Sequence, residues 1–230
     1  RQMCIRDSHI VVINKPVGCA AHPSPGWHGP TVVGALAAAG YTISTSGAAE
    51  RAGIVHRLDV GTSGLMVVAK TDRAFTVLKE AFRTRSVKKT YHAMIQGHID
   101  PPTGTIDAPI DRHPKVDHRF AVVADGKESI THYELIEYYR GVTMVQVELE
   151  TGRTHQIRVH MSALNHPLVG DTTYGADPVL AKSLQMARPW LHAKELAFDH
   201  PINGEPMEFK VDYPADLLAC LALLSDAVIP

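Results

Sequence analysis

One acidic residue, Asp59, stands beside a turn of Gly61, Thr62, Ser63 and Gly64, inside the run HRLDVGTSGLMVVAK from His56 to Lys70. Small and hydroxyl-bearing residues followed by a continuous apolar stretch set that carboxylate where a loop enters a core strand, at the mouth of a sheet. A single carboxylate so placed can attack an electrophilic carbon or take a proton. Desolvation raises the pKa of such a group, so a cation or hydrogen-bond donors are expected beside it. A second polar run, LETGRTHQIRVHMSALNHPLVGDTTYG from Leu149 to Gly175, offers Arg153, His155 and Arg158. On the residues alone Arg158 reads as one arm of a surface ion pair. Tyr91, in KKTYHAMIQG behind Lys88 and Lys89, reads alone as a core or interface tyrosine, and an unperturbed phenol, titrating near ~10, is a weak base.

Other chemistries fit less well. Fourteen histidines invite a metal site, above all His155 and His160 with His166 nearby. A spacing of five turns two side chains roughly 140° apart on a helix, off a common face, and H-E-x-x-H is absent, so no metal is expected. Ser63 lacks the G-x-S-x-G setting of a hydrolase nucleophile. There is no G-x-G-x-x-G, and Gly126-Lys127-Glu128-Ser129 lacks the upstream glycine of a phosphate loop, so no cofactor is expected. Cys4, Cys19 and Cys220 are scattered and odd in number, which fits a reducing, cytoplasmic setting better than a disulfide framework.

The elements that must position these residues follow from a chain of 230 residues, 45% hydrophobic, with no run long enough to span a membrane. The chain opens on Arg1 with no signal-peptide pattern, and residues 1–6 read as foreign or truncated sequence ahead of one catalytic domain, 7–230. HIVVIN from His9 to Asn14 predicts a buried strand, and Thr31 to Ala39 a short helix. Ser63 to Ala69 predicts a strand, Thr71-Asp72 a helix cap, and Ala74, Val77, Leu78, Ala81 and Phe82 an amphipathic helix ending near Thr84. Tyr91, Ala93 and Ile95 alternate in a strand closed by Gly97, and Val145, Val147 and Leu149 in another. Asp125-Gly126 and Asn203-Gly204 mark hairpins, the second with Met207, Phe209 and Val211 on one face. Thr154 is a candidate cap for a helix carrying Ile157, Met161 and Leu164, and a C-terminal helix from Pro214 carries Leu217, Leu218, Leu221 and Leu224. Strands joined by hairpin-like turns outnumber helices, which predicts an α+β fold on a mixed, largely antiparallel sheet.

With 23 Lys+Arg against 24 Asp+Glu the net charge is -1, so any nucleic-acid footprint must be local. Lys79, Arg83, Arg85, Lys88 and Lys89 form one basic cluster opposed by Glu80, and Arg112, His113, Lys115, His118 and Arg119 a second in a loop-like segment. A charge run is more often a solvated face, and only the first, flanking Tyr91, reads as a contact.

Four ordered motifs give the chain a resemblance to the RluA-type RNA pseudouridine synthases: INKPVGCAAHP, HRLDVGTSG, the TGRTHQIRVH run and LHAKELAFDHP. The resemblance covers about Asp7 to Leu218. It implies the pseudouridine synthase fold, with helices flanking the sheet around a central active-site cleft, and an isomerase that needs no cofactor. Asp59 is then the catalytic carboxylate, Arg158 its charge partner, and Tyr91 the ring that stacks on the target base and a candidate to receive the C5 proton. Arg57, Lys88, Lys89, Arg153 and His155 are implied as RNA contacts, and His56, Leu58, Thr62, Ser63 and Gly64 as support for the catalytic loop.

TGRTHQIRVH and HPSPGW look most like the RluD-like branch that acts on large-subunit (23S) ribosomal RNA. Transfer RNA is the alternative substrate, and a catalytically idle RNA-binding or ribosome-assembly protein the alternative role. A monomer is the expected state, with no membrane partner. Many relatives carry an S4-like domain ahead of NKPxG, and its absence reads as a missing source of positive charge.

Overall fold

A computed structural model of the chain describes residues 3–24 and 26–225. Arg1 and Gln2 of the opening run, and Pro25 of HPSPGW, lie outside them. Strands β1 (Met3–Arg6) and β2 (Ile10–Lys15), helix α1 (Val32–Ala38), strand β3 (Ser63–Ala69), helix α2 (Asp72–Arg83) and strand β4 (Lys88–Gln96) come first. Strands β5 (Thr103–Asp107), β6 (Ile110–Arg112), β7 (Phe120–Val122), β8 (Ile130–Tyr139) and β9 (Val142–Leu149) come next. Helices α3 (Gln156–Ala163) and α4 (Pro178–Ser183), strands β10 (Leu191–Asp199) and β11 (Pro206–Lys210), and helix α5 (Ala215–Ser225) complete the order. The fold is α+β with a mostly antiparallel sheet, as the pairings β1–β2, β2–β3, β4–β9, β5–β8, β6–β7, β8–β9 and β10–β11 show.

The chain forms two compact units, Arg1–Lys89 with Ala193–Asp212, and Thr90–His192 with Tyr213–Pro230. Each is assembled from separated stretches, so no linker composition marks the division in the sequence.

In the first unit β2 runs antiparallel to β3 from Ile10 opposite Ala69 to Lys15 opposite Gly64, and β3 in turn lies beside β10. All seven residues of β3 are buried, which is why its sequence is continuously apolar after Gly64 rather than alternating. Thr71 caps α2, its hydroxyl accepting from Ala74 N. Ala74, Phe75 and Leu78 turn into the core with Val12, Leu65, Val67, Leu196 and Phe198. Each large side chain so buried stabilises the unit by roughly 1.5–3 kcal/mol. Val77, expected on the inner face, is 41% exposed, and Phe75 takes its place because the apolar stripe is rotated toward the helix start. The Asn203-Gly204 turn joins β10 to β11 as expected, with Phe209 buried and Met207 and Val211 half-buried.

In the second unit the strand order is β4-β9-β8-β5, with Tyr91 opposite Val147 and Ala93 opposite Val145. Met94, Val142, Met144, Trp190, Leu217, Cys220 and Leu224 form its main core. Leu218, expected among the packed leucines of α5, is half exposed and Cys220 is buried instead. The segment from Arg112 to Arg119 is loop-like as expected from His113 to Arg119, and it connects a small hairpin, β6 against β7, in which Arg112 lies opposite Phe120. Asp125-Gly126 makes a turn, Gly126 N donating to Val123 O at 3.0 Å, but it returns the chain to Lys127, which bridges Ile110 of β6.

Helix α3 departs from expectation at its start. Its N-cap is His155, in the left-handed region at φ 58°, and not Thr154. The first turn is fastened from inside: Gln156 Oε1 accepts from Arg153 N at 2.9 Å and from the Thr151 hydroxyl at 2.8 Å. Its amide donates to Ile130 O at 3.0 Å and Thr131 Oγ1 at 2.9 Å. The buried His160 extends this network through Thr131 Oγ1 and Ala108 O. Gln156 thus replaces a hydroxyl cap by tying the loop before α3 to β8. Of the apolar residues expected inward, Ile157 and Met161 are buried, while Leu164 at the C-cap is 37% exposed.

Candidate active site

In the first unit Asp59 is half-buried on the turn that leads into β3. Thr62 N donates to Asp59 O at 3.0 Å and closes that turn, while Leu58, Thr62 and Ser63 are buried and anchor it on both sides. Gly64 lets the strand begin there. It has φ 116°, and a Cβ would stand 2.3 Å from Ala193 O, so only glycine allows β3 to pass β10 at this point.

A second brace comes from the NKPVG loop after β2. Gly18, at φ 78°, donates its N–H to Val60 O at 2.9 Å, one residue past Asp59. The loop is folded over Lys15, whose side chain is fully buried and whose ammonium donates to Cys19 O at 2.7 Å and Pro16 O at 3.0 Å. A lysine wholly inside a domain is rare, and here its charge is solvated by backbone carbonyls.

His56 supports the turn from behind. Its Nε2 accepts from Val67 N of β3 at 3.0 Å, and its ring stacks on Phe82 of α2 with centroids 4.5 Å apart. Burial, with the Lys89 charge second, pushes the ring down to about 3. Neutral His56 is therefore a structural acceptor, not a proton carrier. Arg57 and Lys88 are exposed, and Lys89 is half-buried. Burial, with the neighbouring Arg85 charge second, lowers Lys89 to about 8.

In the second unit Arg158 projects from the first turn of α3 onto Asp171. Its Nε donates to Oδ2 at 2.6 Å and its Nη2 to Oδ1 at 2.9 Å, and Asp171 is 1% exposed. The guanidinium carbon lies 4.8 Å from the centre of the Tyr174 ring. His155 Nδ1 meets the Tyr174 hydroxyl at 2.8 Å, and Phe120 N donates to that hydroxyl at 3.1 Å. Arg153 is exposed and spends Nε on Glu128 O at 2.9 Å. Tyr91 is buried on β4.

Each unit gathers part of the expected set. His56, Leu58, Thr62, Ser63 and Gly64 do surround the Asp59 turn, and Arg153, His155 and Arg158 do share the start of α3. The histidines that invite a metal are separately engaged: His155 by Tyr174, His160 by Thr131 and Ala108, and His166 by Gln96 O. Sequence reasoning missed Lys15, Gln156, Asp171 and Tyr174. All four lie inside the motifs NKPVG, THQIR and GDTTYG, so the available signal was membership of those runs.

Residues 9–163 match the RNA pseudouridylate synthase family. An uncharacterized RNA pseudouridine synthase of Mycobacterium bovis is 58% identical over 95% of this chain and 71% of its own length. A ribosomal large subunit pseudouridine synthase D of Pseudomonas aeruginosa is 44% identical over 97% of this chain and 71% of its own. Among solved structures, human RNA pseudouridylate synthase domain containing 1 superposes with a TM-score of 0.75 at 29% identity, covering 95% of this chain and 86% of that one. With a braced aspartate turn, an α+β fold and these relatives in agreement, the chain belongs to the RNA pseudouridylate synthase family and is an RNA-modifying isomerase.

Proposed function

We propose that this synthase converts uridines of large-subunit (23S) ribosomal RNA to pseudouridine, with Asp59 as the catalytic carboxylate. The observation that carries the residue assignment is the bracing of its turn. Thr62 N, the Gly18 bond to Val60 and the packing of Leu58 hold one acidic side chain at the head of a fully buried strand. The RNA class is supported by relatives named ribosomal large subunit pseudouridine synthase D in Pseudomonas, Xanthomonas and Zymomonas, at 44, 43 and 41% identity.

The reaction breaks the N1 to C1′ bond, turns the uracil and rejoins C1′ to C5; the C5 proton leaves and N1 gains one, so no electron or group is supplied from outside. Asp59 either attacks C1′ or takes the 2′ proton. Arg158 is assigned to hold the carboxylate's negative charge, and Tyr91 to stack on the uracil and receive the C5 proton. A uridine within folded RNA must be extruded first, at a few kcal/mol of lost stacking. Arg57, Lys88, Lys89, Arg153 and His155 are assigned to the backbone contacts that offset this. No cofactor enters this scheme. Among the described residues no helix is long and apolar enough to cross a membrane. A monomer acting in the cytoplasm fits the reading.

The test is release of tritium from uridine C5 in transcribed 23S and transfer RNA. Wild type should release it from the ribosomal transcript, and Asp59→Asn should lower the rate by about 1,000-fold or more. Release from transfer RNA alone moves the substrate to that class. RNA binding without release from either ends the proposed activity, and an Asp59→Asn variant as active as wild type removes Asp59 as the catalytic carboxylate.

A further inference from the structure

We propose that Asp171 and Tyr174 are positioning residues, which together fix the direction of the Arg158 guanidinium for the isomerisation; this rests on the role assigned to Arg158 above. Both come from one tight turn: Tyr174 N donates to Asp171 O at 3.0 Å, and Asp171 N to Leu168 O at 3.0 Å. From that turn the carboxylate grips Nε and Nη2 in a two-pronged fork. The phenol ring meanwhile faces the guanidinium carbon at 4.8 Å. A fork fixes the guanidinium plane in two directions, and a ring beneath it blocks rotation out of that plane. The ring is itself immobilised, because its hydroxyl accepts from Phe120 N and is engaged by His155 Nδ1.

Stability alone is a poor reason for this arrangement. Arg158 and Asp171 have side chains only 11% and 1% exposed, and two desolvated charges seldom stabilise a fold better than a packed apolar pair of the same volume. What a buried fork provides and an apolar pair cannot is a cation held in one orientation. The two groups act through Arg158.

The experiment is a double-mutant cycle on C5 tritium release, with kcat and KM for the RNA measured separately. Asp171→Asn sets an amide N–H against the guanidinium donors, and should lower kcat on the order of 100-fold with KM within about twofold. In an Arg158→Met background the same change should cost nothing further, since the group it orients has gone. Tyr174→Phe keeps the ring face and should stay closer to wild type than Tyr174→Leu, which keeps the fork and serves where Asp171→Asn folds poorly. The Arg158 Nε–H proton, followed by NMR, should exchange slowly in wild type and join the solvent-exposed arginines in Asp171→Asn. An active wild type in which Asp171→Asn leaves kcat unchanged, or lowers it equally with and without Arg158, overturns the proposal alone. A wild type that releases no tritium overturns the functional reading and takes this proposal with it.

Discussion

His56 Nε2 accepts the backbone N–H of Val67 at 3.0 Å, so the turn that carries Asp59 is pinned to its own strand by a ring that must stay unprotonated. Its folded pKa, about 3, lies below the ~6.5 of an unfolded histidine, so between those values the unfolded chain binds one proton more. Stability is therefore lost as pH falls from about 6.5 toward about 3, at up to ~1.4 kcal/mol per pH unit from this group. Urea unfolding across that range should show a shallower acid limb in His56→Gln than in wild type. Parallel limbs would remove His56 from the account.

Gly18 and Gly64 separate backbone strain from collision. Both have φ well above zero, but a Cβ on Gly18 meets nothing within 4 Å, whereas on Gly64 it meets Ala193 O at 2.3 Å. Gly18→Ala should cost about 1 kcal/mol, from the left-handed conformation alone. Gly64→Ala should cost about 3 kcal/mol or more, because β3 and β10 must part at the head of the site. Thermal unfolding of the two variants side by side decides this, and equal shifts would count against it.

Lys89 offers a test on binding. Burial holds its folded pKa near 8, so it is charged below that pH and neutral above it. If it touches RNA phosphate, affinity should weaken as pH rises from about 7 to about 9, and Lys89→Arg, charged throughout, should flatten the profile. Lys88→Met and Lys89→Met should each lower the slope of log affinity against log salt by about 1. A Lys89→Met variant with an unchanged slope would take this lysine off the RNA path.

The parts of this architecture legible in the chain are those that announce themselves locally. Ser63–Ala69 is bounded by glycine on one side and a capping threonine on the other, and β3 has those limits. Which way α2 faces was harder, because Val77 and Phe75 are both apolar and only packing chooses between them. The β6–β7 hairpin left no trace, since strands of three residues show no period and Arg112 to Arg119 is dominated by charge. The turn that carries Asp59 could be found from its residue types. The fork from Asp171 to Arg158 could not, because it spans thirteen residues and leaves the helix on which Arg158 lies.

Lys15 is harder still to read from sequence, since nothing in composition marks a lysine as core. Its ammonium is fully buried and draws in Cys19 O and Pro16 O, which curls residues 15–19 so that Gly18 N can reach Val60 O. Lys15→Met fills similar volume but leaves those carbonyls without this donor, at about 1–3 kcal/mol. The loop should then open and release Val60, and with it the brace on the Asp59 turn. If that brace serves to orient the Asp59 carboxylate and not to hold RNA, kcat should fall by about 10-fold or more while KM holds. Steady-state tritium release at a temperature well below the unfolding of the variant distinguishes this from simple destabilisation: a fall confined to KM, or none at all, would show that the turn holds its shape without Lys15.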